Sequence, residues 1–171
     1  MIHAVRRPLA VLALALAAAA AHGEVYQEPG AFIAEVFGST PAPKVLWLTK
    51  DLQAQAAAIL GHPPAQLRQR YWSEGRRSVW ILEEIGKEEL ITAGFVVIEG
   101  HIDHVRVLVY RESRGQEVRQ SSFLKQFKDA KLVKGDRLDR DIDGIVGATL
   151  SVGAMERMAR LALLFDRLSH G

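Results

Sequence analysis

The chain has 171 residues, 49% of them hydrophobic, no cysteine and a formal charge of +2. That length suits one domain able to bury a core of its own. The absence of cysteine excludes disulfides, thiolate-held metals and Cys-x-x-Cys-His haem attachment.

Arg6-Arg7 is followed by an apolar run from Pro8 to Ala21, and Ala21-His22-Gly23 offers small residues at the two positions a signal peptidase reads. Residues 1–23 therefore read as a cleaved secretory signal peptide, and the remainder as an exported domain. An uncleaved segment that keeps the protein at the membrane is the alternative. Without residues 1–23 the formal charge falls from +2 to zero, because Arg6 and Arg7 leave and no acid does. No positive field remains that would argue for nucleic acid.

Ala31 to Phe37 reads as a short helical segment after Pro29-Gly30, stopped by the proline-rich stretch around Pro41 and Pro43. Lys44 to Leu48 reads as a strand. An alanine-rich helix follows from Asp51 to Leu60, opened near Thr49 and closed by Gly61 with Pro63-Pro64 beyond. From Gln66 to Tyr110 the period shortens. Segments Leu67–Trp72, Ser78–Glu84, Leu90–Ile98 (broken at Gly94) and Ile102–Tyr110 are separated by tight turns, which predicts an antiparallel meander. Alternation in the last strand puts Val105, Val107 and Val109 on one side and Arg106, Leu108 and Tyr110 on the other. Trp47, Trp72 and Trp80 read as core. Arg111 to Glu117 is a charged loop. A helix is expected from Arg119 to Lys128, with Phe123, Leu124 and Phe127 on one side, and an irregular stretch from Asp129 to Asp141. The whole is an α+β domain, an antiparallel β-meander with flanking helices. His101 and His104 lie three apart on one strand, hence on opposite faces, and no metal site is expected from them.

The last helix is expected from Val152 to Leu168. Met155, Met158, Leu161, Ala162, Phe165 and Leu168 share one face, while Glu156, Arg157, Arg160 and Arg167 share the other. Before it stands Asp143-Gly144-Ile145-Val146-Gly147-Ala148-Thr149-Leu150-Ser151. Thr149 or Ser151 is expected at the helix cap. There, unpaired N–H groups and the positive end of the helix dipole suit a phosphate, and they equally suit an ordinary hydroxyl cap behind a glycine turn.

Asp143, Gly147, Ala148 and Thr149 resemble the motif Asp-x-x-(Ser/Thr)-Gly-Ala-Thr of the FMN-binding domain family, which includes components of the sodium-translocating NADH:quinone reductase and of the Rnf electron-transport complex. Val146 stands where those respiratory proteins have Ser or Thr. The resemblance covers roughly Leu90 to Leu164. It includes the turn Val97–Ile102 and the run Leu108–Gly115 with Phe123–Phe127, in which Glu112-Ser113 fits the family's loop and Arg114 replaces its proline. This divides the chain into a signal peptide (1–23), an N-terminal part of the domain (24–89) and an FMN-binding region (90–171).

The resemblance implies that Thr149 carries FMN covalently through a phosphodiester. It also implies that Gly147, Ala148, Asp143, Glu112, Ser113, Tyr110 and Phe123 surround the cofactor. Arg111 and Arg119 read as surface arginines, with contact to the phosphate or the ring as the alternative. It implies two partners. One is an FAD:protein FMN transferase, magnesium-dependent, that splits FAD and moves its FMN half to the threonine. The other is a membrane-bound redox protein. The function so implied is that of a periplasmic electron carrier rather than a stand-alone enzyme. A non-redox module that keeps the fold without flavin, and a reductase with noncovalent FMN, are the alternatives.

Overall fold

A computed structural model describes residues 23–170. The signal peptide expected over residues 1–23 lies, apart from Gly23, outside the described residues. Among the described residues, four helices and one main sheet form a single α+β domain. The helices are α1 (Pro29–Phe37), α2 (Lys50–Leu60), α3 (Ser121–Leu124) and α4 (Thr149–Ser169). The sheet holds β1 (Glu24–Val25), β2 (Lys44–Trp47), β3 (Arg68–Glu74), β4 (Arg77–Ile85), β5 (Leu90–Ile98) and β6 (His101–Tyr110), in the antiparallel order β1-β6-β5-β4-β3-β2. Strands β2 to β6 follow one another across the sheet, as a meander does. A small hairpin, β7 (Leu132–Val133) with β8 (Arg137–Leu138), sits in the stretch expected to be irregular. Gly135 and Asp136, both at positive φ, make its turn.

The sheet separates two cores. Helices α2 and α4 lie on one face. Trp80, Phe95, Phe127, Met155, Met158 and Phe165 are all 2% exposed or less in that cluster. The Tyr71 and Trp80 rings stack at 4.6 Å, and Phe165 tilts against Trp80 at 5.7 Å. Helix α1 covers the other face through Phe32 and Ile33. Gly94 does not break β5, contrary to the sequence expectation. It sits inside the strand because a Cβ there would lie 2.3 Å from the Phe32 ring.

The caps of α2 explain its limits. The Thr49 hydroxyl accepts from the N–H of Leu52 at 3.3 Å, and Gly61, left-handed at φ 80°, donates to Ala57. Helix α4 is buried on more than the one predicted face. Val152, Ala154, Ala159, Leu163, Leu164 and Asp166 are buried too, since the sheet, α2 and the segment after β6 surround it. Leu168 is instead 41% exposed, in the last turn where that enclosure ends. Asp166 is buried with partners: the Trp80 indole donates to Ser78 Oγ at 2.8 Å, and Ser78 donates to Asp166 at 2.5 Å.

Three further expectations are corrected. Arg119–Lys128 is not one helix. A 3-10 turn (Gln116–Arg119), α3 and a second 3-10 turn (Lys125–Phe127) share it, because Gln120 adopts an extended backbone with ψ 140°. Trp47 is 65% exposed on the edge strand β2, where no helix covers the sheet. Val109 does not share a face with Val105 and Val107. The register with β5 shifts between Thr92 and Ala93, leaving Leu108 as the extra residue of a bulge. Beyond it Val109 faces α1 with Leu108, and Tyr110 joins Val105 and Val107 on the α4 face.

Candidate functional site

The bulge in β6 aims Tyr110 at the start of α4. Around that meeting point, three segments enclose a cavity of about 580 Å³. Lys87 and Glu88 come from the β4–β5 turn. Glu112, Ser113 and Arg114 come from the loop after β6. Gly147, Ala148, Thr149, Leu150 and Ser151 come from the glycine turn and the first turn of α4.

The glycine turn sets up the helix start. Gly147 has φ 81°, a left-handed conformation, and a Cβ there would meet nothing within 4 Å. The N–H of Ala148 donates to Ile145 at 3.0 Å and closes the turn. Ala148 then occupies the N-cap and offers no side-chain acceptor. This corrects the expected hydroxyl cap: the cap position falls one residue before the first hydroxyl. Thr149 is the first helical residue and is exposed. No hydrogen bond of its hydroxyl occurs among the described residues. The first-turn N–H groups, and the positive end of the α4 dipole, are left facing the cavity without a side-chain cap.

Ser151 points the other way. It is 4% exposed, and its hydroxyl lies 3.1 Å from that of Tyr110. The Tyr110 hydroxyl donates to the Arg114 carbonyl, so Ser151 donates to Tyr110. Burial pushes the Tyr110 phenol above its ordinary range. Gly115 makes this packing possible. It has φ 82°, and a Cβ there would lie 2.8 Å from the Tyr110 hydroxyl and 2.9 Å from that of Ser151.

Glu112 is consumed by the opposite wall. Its Oε1 accepts from the backbone N–H groups of Lys87, of Glu88 at 2.7 Å and of Glu89 at 3.1 Å. Burial pushes its pKa up. The three N–H donors and the nearby Lys87 charge outweigh that, and the carboxyl is held below its ordinary range. Glu112 thus shapes the β4–β5 turn. Gly86 completes the fit, since a Cβ there would lie 2.8 Å from Glu112 Oε1 and 3.3 Å from Ser151 Oγ.

Just before this turn, Glu84 is 4% exposed and held by His62 at 3.1 Å and Arg157 at 3.0 Å. Arg157 also donates to the Ile85 carbonyl at 3.1 Å. The Pro63 carbonyl, and then Glu84, raise the pKa of His62. This cluster joins the end of α2 to β4 and α4.

Of the residues named from the sequence, Gly147, Ala148, Thr149, Glu112 and Ser113 line the cavity, and Tyr110 supports it through Ser151. Asp143 and Phe123 do not line it. Asp143 is exposed, with its backbone N–H bonded to Gln126 at 2.7 Å. Phe123 is buried edge-on against Phe127 at 5.6 Å. Arg111 turns to Thr92 at 2.9 Å, and Arg119 lies over the Tyr26 ring at 4.5 Å. Sequence reasoning did not assign Lys87, Arg114, Gly86 or Gly115 to the site, although Arg114 and Gly115 lie in the loop that resembles the family's.

The residues present fit a flavin phosphate: an accessible hydroxyl, an uncapped helix start, and Lys87 and Arg114 both lining the cavity. No curated protein and no solved structure matches the chain. The family model for the FMN-binding domain matches residues 86–164. That stretch opens at Gly86, ends in α4 and contains every residue that lines the cavity. Residues 86–164, and with them the cavity, thus match the FMN-binding domain family.

Proposed function

We propose that the protein carries FMN in this cavity, bound covalently to Thr149 by a phosphodiester, and that it serves as an exported electron carrier. The observation that carries the reading is the exposed Thr149 at the uncapped start of α4, opening onto the 580 Å³ cavity inside the family-matched segment. Attachment would use FAD as donor. The bond between Thr149 Oγ1 and the FMN phosphorus forms, the phosphoanhydride breaks, AMP leaves, and the hydroxyl proton passes to the transferase. The open space around Gly147 lets that enzyme approach the backbone.

In the loaded protein, the first-turn N–H groups and the Lys87 and Arg114 charges would hold the phosphate. The exposed Val146 and Leu150, on either side of Thr149, give the ring apolar surface to rest on. The flavin supplies the redox chemistry, and the chain supplies attachment and orientation. Outside the cytoplasm the covalent bond also prevents loss of the cofactor by diffusion. Under this reading the partners are an FAD:protein FMN transferase and a membrane-bound redox protein, and the location is the periplasm.

The test is Thr149→Val in cells that contain the transferase. Flavin fluorescence should vanish from the denatured variant on a gel and persist in Ser151→Ala. Tandem mass spectrometry of the parent should place the FMN mass on Thr149. Covalent flavin retained in Thr149→Val would overturn the assignment.

Val146 favours a second reading. It is fully exposed where the family motif has a hydroxyl, so nothing at that position assists a phosphate. A parent that gains no flavin beside a competent transferase, and gains it as Val146→Ser, would show a module that kept the fold and lost the cofactor.

A further inference from the structure

Strand β6 pairs with β5 along one side. Its other side is covered by this chain only at the ends. Toward the flavin cavity β1 pairs with Val109 and Tyr110, and the Tyr26 N–H donates to the Leu108 carbonyl at 2.9 Å. At the far end Ile102 donates to Ala130 at 2.9 Å and accepts from Asp129 at 2.7 Å. Between Ile102 and Leu108 no backbone partner lies on that side among the described residues. The open length is about 20 Å at ~3.3 Å per residue. A cavity of about 750 Å³ runs along it, walled by Tyr26 on one side and Leu124 on the other.

The charge along this groove is positive. Its two acids are already taken: Glu35 by Arg106 at 2.7 Å, and Asp103 by His104 at 2.7 Å and Lys128 at 3.5 Å. Arg119 and Lys125 both line the groove, are exposed, and have no ion pair among the described residues. The Tyr26 ring under Arg119, at 4.5 Å, holds that guanidinium in place.

We propose that the open edge of β6 is a docking site for an extended acidic segment of a partner protein, which adds to the sheet as a further antiparallel strand. The unpaired N–H and C=O groups supply the ladder, and Arg119 and Lys125 select the charge of the incoming side chains. A second copy of this chain would bring the same cations against themselves. Residues 1–22 contain Arg6 and Arg7 and no acid, so they match the groove poorly. The inference does not rest on the flavin reading.

The experiment uses the full chain as Thr149→Val, so that flavin plays no part, and a short capped peptide of alternating Glu and Val with a fluorescent label. Polarisation should show binding that weakens as salt rises. The double variant Arg119→Glu with Lys125→Glu should weaken it at least tenfold while the melting midpoint stays close to that of the parent, because both side chains are exposed. Methylating alternate backbone nitrogens of the peptide keeps its charges and removes its donors, and should also cost tenfold or more. Binding that survives methylation would reject strand addition. Equal or tighter binding of a short oligonucleotide would reject an acidic peptide as the occupant. No binding at millimolar peptide would mean that the charges only guard an edge strand against pairing.

Discussion

Ser151 at the start of α4 and Tyr110 at the end of β6 meet hydroxyl to hydroxyl at 3.1 Å, buried beneath the residue that would carry the cofactor. Helix and sheet are thereby tied together where the cavity opens. Ser151→Ala should cost about 1 kcal/mol, because Tyr110 keeps its acceptor at Arg114. Tyr110→Phe should cost about 1–3 kcal/mol, because it leaves the Arg114 carbonyl and the Ser151 hydroxyl unpaired. Urea midpoints of both single variants and the double should show a coupling near 1 kcal/mol. Strict additivity would show that the two hydroxyls do not act on each other.

The two left-handed glycines of the site should behave differently. Gly147→Ala meets open space and carries only the backbone cost, about 1–2 kcal/mol. Gly115→Ala carries the same cost and also drives a methyl to within 3 Å of the Tyr110 and Ser151 hydroxyls. It should lose clearly more, about 3 kcal/mol. Equal losses in the two melting curves would mean that the Gly115 packing relaxes without penalty.

Glu112 gives a pH dependence on the acid side. Its folded pKa is lowered, so its stabilisation is present above the unfolded value and is lost as pH falls through the folded one. Glu112→Gln should lower stability by about 1–2 kcal/mol at neutral pH. It should also flatten the acid limb of a plot of stability against pH. An acid limb unchanged in the variant would remove Glu112 from this role.

His62 gives the opposite sign. Its pKa is raised by the Pro63 carbonyl and then by Glu84, so its contribution is full below the unfolded histidine value and is lost as pH rises through the folded one. His62→Gln should therefore match the parent more closely at alkaline pH than at mildly acid pH. Chemical shifts of the imidazole give the titration directly, and a midpoint at or below the ordinary value would contradict the contact with Glu84.

Phe165→Ala removes a ring that is 2% exposed and packed on Trp80, and should cost about 3–5 kcal/mol. An unchanged melting midpoint would show that α4 does not pack on the sheet through this face.

The local pattern alone determined much of this. The meander followed from strands of period two separated by turns, and α2 from Thr49 and Gly61 at its ends, because caps and alternation act between near neighbours. The motif around Thr149 was legible because a glycine turn before an apolar helix is written in consecutive residues. What the chain order hides is where side chains meet. Val109 was placed with Val107 because alternation assumes an unbroken register, and the bulge at Leu108 reversed it and turned Tyr110 toward α4. Gly94 looked like a break until Phe32 filled the space above it. Glu112 looked like a ligand, yet its oxygen binds a turn more than twenty residues earlier in the chain, at Lys87, Glu88 and Glu89. Ser151 looked like a spare cap and became the buried partner of Tyr110, because the helix starts at Thr149 and its third residue faces inward. Long-range contacts of this kind depend on how the sheet and α4 stack, and that stacking is a property of the assembled core rather than of any window of sequence.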